Sequence, residues 1–138
     1  MSAPDSSLYE YAVVRYVPRV DREEFINIGL IMMCKRRKWM RGEIKLNPQR
    51  LLAFDPNVNL EALTRQSALF MRDDVPGPSL PVEEKYRWLT AVKSAVLQVS
   101  PSHPGILCAT ASEGLPKRED GEALLDSEFE RLMNELIL

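Results

Sequence analysis

The chain has 138 residues, and its 20 Asp and Glu against 18 Lys and Arg give a formal net charge of −2. Hydrophobic residues make up 45% and charged residues 28%, which is typical of a soluble globular protein and excludes collagen-like, disulfide-stapled and globally disordered chains. Because a chain of this length buries enough surface for one core without a staple, we expect a single domain over residues 1–138 that needs neither a metal nor a cofactor.

The first part of the sequence predicts three β-strands after a flexible start over residues 1–7. Residues 8–17 are rich in Tyr and Val and have apolar side chains on both faces, as in a strand at the centre of a sheet. A second strand is predicted over residues 25–35. Residues 39–46 alternate between apolar and polar side chains, which indicates a third, antiparallel strand with one face in water. The second and third strands therefore form a predicted hairpin.

Helices are predicted in the middle of the chain. Asn47 is a typical N-cap and Pro48 is favoured in the first turn, so a short helix is expected to begin there and to end at Phe54. A second helix is predicted over residues 58–72, followed by an internal Pro-rich loop over residues 73–81. Apolar residues at helical spacing then predict a long helix over residues 81–99.

The C-terminal part predicts one more strand, over residues 105–111, and a last helix. Ser127 and Glu130 have the spacing of a capping box, which predicts that this helix begins at Ser127. The fold class is therefore α+β, an antiparallel sheet of three to four strands with helices packed on it.

Standard catalytic signatures are absent from the sequence, and we expect no catalytic residue and no metal ligand set. His103, the only histidine, stands between Ser102 and Pro104 in a predicted loop with no carboxylate to orient it, and is interpreted as a turn residue. Cys34 and Cys108 are interpreted as buried free thiols of a reducing compartment. With no targeting segment at the start, the predicted location is cytoplasmic.

A basic cluster marks the predicted hairpin tip, which consists of residues 35–38. One interpretation is a nucleic-acid surface, in which basic side chains and an aromatic follow a phosphate backbone. The other is a solvated tip that prevents aggregation at the sheet edge, which the acidic overall charge favours. The candidate residues are Lys35, Arg36, Arg37, Lys38, Trp39 and Arg41.

Arg15 and Asn27 stand within strands that are otherwise apolar, where an unpaired charge is costly. The structural interpretation is an interior ion pair of Arg15 with Glu23 or Glu24, with Gly29 admitting a bulky neighbour. The functional interpretation is a small anion- or carboxylate-binding pocket with Arg15 as its anchor. The candidate ligand-binding residues are Arg15, Arg22, Glu23 and Asn27.

Two segments carry a family resemblance, Arg15-Tyr16-Val17-Pro18 and Asn27-Ile28-Gly29-Leu30-Ile31. They resemble the bacterial family catalogued as domain of unknown function 3037, and the amphipathic helix predicted at residues 126–138 is similar to a helix of that family. The resemblance implies no activity. It implies a HipA-like kinase-fold protein as a partner, because such proteins are often encoded beside members of the family.

The predicted function is therefore that of an accessory or protein-interaction domain without catalytic activity of its own, which binds a second copy or a larger protein. One alternative is a small enzyme acting on phosphodiesters through Arg15, Glu23 and Glu24. Neighbouring carboxylates diverge on a strand or a helix, however, so these two would not share one metal. The other alternative is a nucleic-acid-binding module through residues 35–38.

Overall fold

An antiparallel sheet forms the centre of the computed structural model, which describes residues 7–71, 80–91, 94, 96–107 and 120–138. One edge of β1 (Ser7–Tyr16) pairs with β2 (Ile26–Cys34), and β2 pairs in turn with β3 (Trp39–Ile44). The other edge of β1 pairs with β4 (Leu97–Val99) and β5 (His103–Leu107) in succession. The α+β class and the central place of β1 are confirmed. The described residues form five strands instead of the predicted three to four, because Leu97–Val99 also pairs with β1.

Helices cover both faces of this sheet. One face packs against α1 (Pro48–Phe54), α2 (Leu60–Phe70) and α3 (Val82–Thr90), around buried residues such as Leu51, Leu63 and Tyr86. The other packs against α4 (Asp120–Leu132), which continues into a π-helical turn (Met133–Ile137). β1 therefore needs apolar side chains on both faces, which is why its sequence lacks a polar stripe.

The long helix predicted over residues 81–99 is wrong in its second half. α3 ends at Thr90, and Leu97–Val99 pairs with β1 instead. Ser100 continues this contact, because its N–H donates to the Val13 carbonyl and its Oγ accepts from the Val13 N–H, both at 2.9 Å. Leu97–Val99 therefore forms a strand on the open edge of β1, although its apolar spacing also suits a helix.

Two of the remaining helix predictions are confirmed, and the predicted start of the last helix is wrong. The Asn47 side chain accepts from the Arg50 N–H with Pro48 in the first turn, and α2 lies within the predicted 58–72, so both helices are confirmed. The predicted start of the last helix is wrong, because α4 begins at Asp120. Leu125 is fully buried against the sheet, so tertiary packing extends the helix upstream of the local capping signal.

The face of β3 that was predicted to lie in water is covered by α4. Arg41 forms ion pairs there with Glu43 at 2.6 Å, Asp126 at 3.1 Å and Glu130 at 2.6 Å. Its Cζ also lies 4.4 Å from the centre of the Phe129 ring. The polar residues of β3 therefore connect the sheet to the helix.

Several predictions fall wholly or partly outside the described residues. These are the flexible start, most of the loop over 73–81, residues 108–111 of the predicted strand, and Cys108. Of the predicted flexible start, only Ser7 is described, and it belongs to β1. Cys34 is buried and free, as predicted. His103 lies in β5 opposite Tyr11, so its assignment to a turn is wrong.

Candidate functional site

A groove of about 910 Å³ opens where β1 begins and β2 ends. Its floor belongs to the sheet face that carries α1, α2 and α3, because alternate residues of β1 lie on one face and Ala12 and Val14 of the same series are buried under those helices. The groove is lined by Leu8, Tyr9, Glu10, Met33, Lys35, Arg36, Pro104 and Ile106.

Two large apolar side chains dominate the floor of the groove. Leu8 is 68% exposed and Ile106 is 63% exposed, and they lie directly opposite each other in the pairing of β1 with β5. In the next row, Glu10 lies opposite Pro104 on one side and Met33 on the other. An apolar patch in contact with water is typical of an interaction surface, and strand pairing holds this one in place.

A chain of hydroxyl groups connects the groove to the core under α3. The Tyr86 hydroxyl lies 2.7 Å from Ser102 Oγ, which donates to Glu10 Oε1 at 3.2 Å. Burial raises the pKa of Tyr86 to about 12, and the Glu10 charge adds to this effect. The acidic residue of the groove is thereby oriented by a hydrogen bond from within the protein.

Tyr9 connects the groove to the opposite helical layer. Its hydroxyl donates to Glu128 Oε2 at 2.5 Å, and burial together with this hydrogen bond raises the pKa of Tyr9 to about 12. The Arg131 guanidinium, bonded to the same carboxylate at 2.7 Å, holds the pKa of Glu128 below its ordinary value. The ring of Tyr9 lies over Gly105, where a side chain would occupy its place.

The basic hairpin tip, residues 35–38, lies at one end of the groove. Lys35 and Arg36 belong to the groove lining, and the turn closes through the Lys38 N–H, which donates to the Lys35 carbonyl at 3.1 Å. Lys38 has a left-handed backbone with φ of 51°. The structure thus places two of the four consecutive basic residues of the tip, Lys35 and Arg36, beside an apolar surface.

Trp39 and Arg41, the other two nucleic-acid candidates, lie apart from the tip surface. Trp39 is only 9% exposed and belongs to the core under α4, so its ring has no free face for a base. Arg41 is held by the three carboxylates described above.

Arg15 and Asn27 lie directly opposite each other on β1 and β2, on the α4 side of the sheet. The Arg15 Cζ lies 4.0 Å from the centre of the Phe25 ring. Asn27 Nδ2 donates to the Leu136 carbonyl at 3.2 Å. Arg15 Nε and Asn27 Oδ1 are both buried and have no hydrogen-bond partner. The structure therefore brings together two of the four ligand-binding candidates.

Arg22 and Glu23 lie elsewhere, on the exposed connection between β1 and β2. Arg22 pairs with Glu24 at 2.6 Å, and Glu23 ends a short 3-10 turn with φ of 55°. No ion pair joins Arg15 to Glu23 or Glu24 in the described part of the chain, so the structural interpretation of Arg15 is wrong. The accompanying expectation for Gly29 is confirmed, because Ile44 occupies the space of a Cβ at that position.

The apolar floor of the groove was not predicted from the sequence. Leu8 has the same alternation as the buried residues of β1, and nothing in its local pattern separates it from them. It is exposed, whereas Ala12 and Val14, further along the same strand, belong to the core under α1, α2 and α3. The local signal that was available is the basic tip, which marks one end of the groove.

Neither a candidate metal-binding group nor a helix able to cross a membrane occurs among the described residues. Within residues 7–71, 80–91, 94, 96–107 and 120–138, no three His, Cys, Asp or Glu side chains are grouped so that they could hold a metal ion. Over the same ranges, every helix is too short or too polar to cross a membrane.

A family model described as "Protein of unknown function (DUF3037)" matches residues 11–117. The match contains both segments that carry the resemblance, Arg15-Tyr16-Val17-Pro18 and Asn27-Ile28-Gly29-Leu30-Ile31, and it ends before α4. No curated protein and no solved structure matches the chain.

Proposed function

The chain belongs to the DUF3037 family of proteins of unknown function, and we propose from its geometry that it is a protein-interaction domain. Its groove binds an amphipathic peptide segment of a partner protein, with apolar side chains on the floor and acidic side chains at the basic hairpin tip. The observation that carries the proposal is the exposure of Leu8 and Ile106 opposite each other on paired strands.

The apolar floor supplies the affinity in this proposal. Leu8 and Ile106 are each more than 60% exposed, and fully covering a side chain of this kind is worth about 1.5–3 kcal/mol. Because both belong to paired strands, their backbone does not have to become ordered when the peptide binds, which reduces the entropic cost of association.

The charge of the groove favours an acidic partner. Lys35 and Arg36 line it and Lys38 closes the adjoining turn, whereas Glu10, the one carboxylate among the described lining residues, accepts a hydrogen bond from Ser102. Carboxylates placed at the tip would speed association and fix the direction of the peptide. An apolar segment that begins with acidic residues therefore fits the groove better than a basic one.

A synthetic peptide tests the proposal directly. The probe is a fluorescein-labelled peptide with Glu and Asp at one end and Leu and Ile at alternate positions after them, and fluorescence anisotropy measures its affinity. We expect Ile106→Ser to weaken binding about tenfold, which corresponds to losing the burial of one large apolar side chain. The matched control is Leu69→Ser on α2, because Leu69 is also 63% exposed and lies outside the groove lining.

The outcomes separate this proposal from its alternatives. Equal binding by the Ile106→Ser and Leu69→Ser proteins, or equal binding of a peptide with Lys in place of the acidic residues, would refute it. Concentration-dependent sedimentation that Ile106→Ser abolishes would show that a second copy occupies the groove. Binding of an oligonucleotide that survives Ile106→Ser and is lost on Lys35→Ser would replace the peptide with nucleic acid.

The kind of protein that supplies the segment is a separate proposal. The family resemblance implies a HipA-like kinase-fold protein, and a second copy is the other candidate. Residues 73–138 hold 12 acidic and 6 basic side chains, so another copy of the chain also offers acidic segments. Adding unlabelled protein as a competitor in the anisotropy assay tests the second candidate.

A further inference from the structure

Arg15 lies far from the groove, on the other face of the sheet. It is seven residues along β1 from Leu8, or about 23 Å at the rise of an extended strand. The register of β1 with β2 shifts between Val14 and Arg15, so that Val14 is opposite Gly29 and Arg15 is opposite Asn27. Irregularities of this kind redirect side chains and are common beside functional sites. Whatever Arg15 does is therefore independent of the groove.

The Arg15 guanidinium has an aromatic neighbour but no hydrogen-bond acceptor among the described residues. It stacks on Phe25 at 4.0 Å, and its Nε is buried without a partner; no ion pair or hydrogen bond reaches it from the described residues. A buried donor that lacks a partner carries a desolvation penalty. Arg15 as a residue is partly exposed although its Nε is buried, so we infer that the end of the guanidinium meets the solvent.

The neighbours of Arg15 are polar or positively charged. Asn27 is opposite it on β2, and Gln98 is opposite it on β4, which places an amide on each side. The Arg50 guanidinium donates to the Asn27 carbonyl at 3.2 Å and also to the Ile137 carbonyl. Arg15 and Arg50 thus flank Asn27 with two positive charges, and no carboxylate in the described part of the chain pairs with either.

We propose that Arg15 is the anchor of a second binding site beside Asn27, and that its ligand is a carboxylate that accepts from the guanidinium. The guanidinium is a planar fork of N–H donors that matches the two oxygens of a carboxylate, which gives a short and directional pair. The Phe25 ring, which is 44% exposed, lies against the Arg15 guanidinium, with its centre 4.0 Å from Cζ, and restricts the movement of the guanidinium. Asn27 is fixed by its bond to the Leu136 carbonyl, so the site is formed before the ligand arrives.

The carboxylate can belong to a free organic acid or to the end of a peptide chain, and the test distinguishes the two. In ¹H–¹⁵N NMR spectra, we follow the Arg15 Nε–H and Asn27 Nδ2 signals while adding sodium succinate. A tripeptide with a free C-terminal carboxylate, its C-terminal amide, and sodium chloride at matched ionic strength are added in separate titrations. We expect succinate or the tripeptide to give saturable shifts of both signals, and the amide and chloride to give none.

Two variants connect the shifts to Arg15. Arg15→Met should weaken carboxylate binding at least about tenfold, as the loss of charge-assisted hydrogen bonds does, and its urea midpoint should equal or exceed that of the parent. The matched control is Arg22→Met, which removes an exposed arginine that pairs with Glu24 in the connection between β1 and β2. It should leave binding unchanged. Arg15→Lys, which keeps the charge and loses the fork, provides the comparison if Arg15→Met does not fold.

Three results would overturn the proposal. The first is a chloride titration that shifts the two signals as much as succinate does. The second is saturable carboxylate binding that persists in the Arg15→Met or Arg15→Lys protein. The third is a large loss of stability in Arg15→Met with no carboxylate binding by the parent, which would give Arg15 a purely structural role.

Discussion

The contact between Gly105 and Tyr9 determines how β5 lies on β1, and Gly105→Ala tests it. A Cβ at position 105 would lie 2.2 Å from Tyr9 Cζ and 2.5 Å from both Cε2 and the hydroxyl oxygen. Carbon atoms in ordinary contact are about 3.5–4.0 Å apart, so the ring has to move by more than about 1 Å. Tyr9 is only 5% exposed, and its hydroxyl is bonded to Glu128, so the ring is constrained on both sides.

The expected cost of Gly105→Ala has two parts. Overfilling a packed site costs about 1–3 kcal/mol, and disturbing the hydrogen bond from Tyr9 to the Glu128 carboxylate adds about 1 kcal/mol or more. We therefore expect the free energy of unfolding to fall by about 2–4 kcal/mol. Urea unfolding followed by tryptophan fluorescence measures this change, because Trp39 is buried in the core under α4 and becomes exposed on unfolding.

A double-mutant cycle shows whether Tyr9 is the cause. Leucine at position 9 lacks the two ring atoms and the hydroxyl oxygen that the new methyl group would meet. Gly105→Ala should therefore cost less in Tyr9→Leu than in the parent, with a coupling energy of about 1–2 kcal/mol. Tyr16→Leu is the control, because Tyr16 lies on the same strand but on the face under α1, α2 and α3, opposite Leu97, and it should show no coupling. A Gly105→Ala protein within about 0.5 kcal/mol of the parent would refute the packing of Tyr9 on Gly105.

Two further predictions concern alkaline pH and the hairpin tip. Burial raises the pKa of Tyr9, Tyr16 and Tyr86 to about 12, so stability should be complete below pH 10 and should fall as the pH rises towards 12, because only the unfolded state then ionises. The absorbance of phenolate during an alkaline titration should show that these three tyrosines ionise late, together with unfolding. Ionisation of all tyrosines near pH 10 in the folded protein would contradict this prediction. At the tip, replacing Lys35 by Ser and Lys38 by Asn should change the unfolding free energy by less than about 0.5 kcal/mol, since the side chains bury little and Asn tolerates the left-handed backbone of position 38. A larger loss in a urea melt would show that the tip contributes to the fold.

Elements whose signals are complete within a few residues could be predicted from the sequence alone. Asn47 and Pro48 begin α1 because the cap is a local hydrogen bond to the Arg50 N–H. The apolar side chains on both faces of residues 8–17 placed β1 at the centre, because only a strand covered on both sides can bury them. The exposure of the basic tip could also be predicted, because consecutive like charges in a tight turn cannot be buried.

Which surfaces meet depends on tertiary contacts and could not be predicted from the sequence. Residues 97–99 have a spacing that suits a helix as well as a strand, and the open edge of β1 selected the strand. Leu8 and Val14 have equivalent positions in the same alternation, yet only Val14 lies beneath helices that are distant in sequence. Arg15 stacks on Phe25 instead of pairing with Glu23 or Glu24, because the short 3-10 turn directs those acids into solvent. Exposure and pairing depend on contacts between remote segments, and a local pattern contains no information about them.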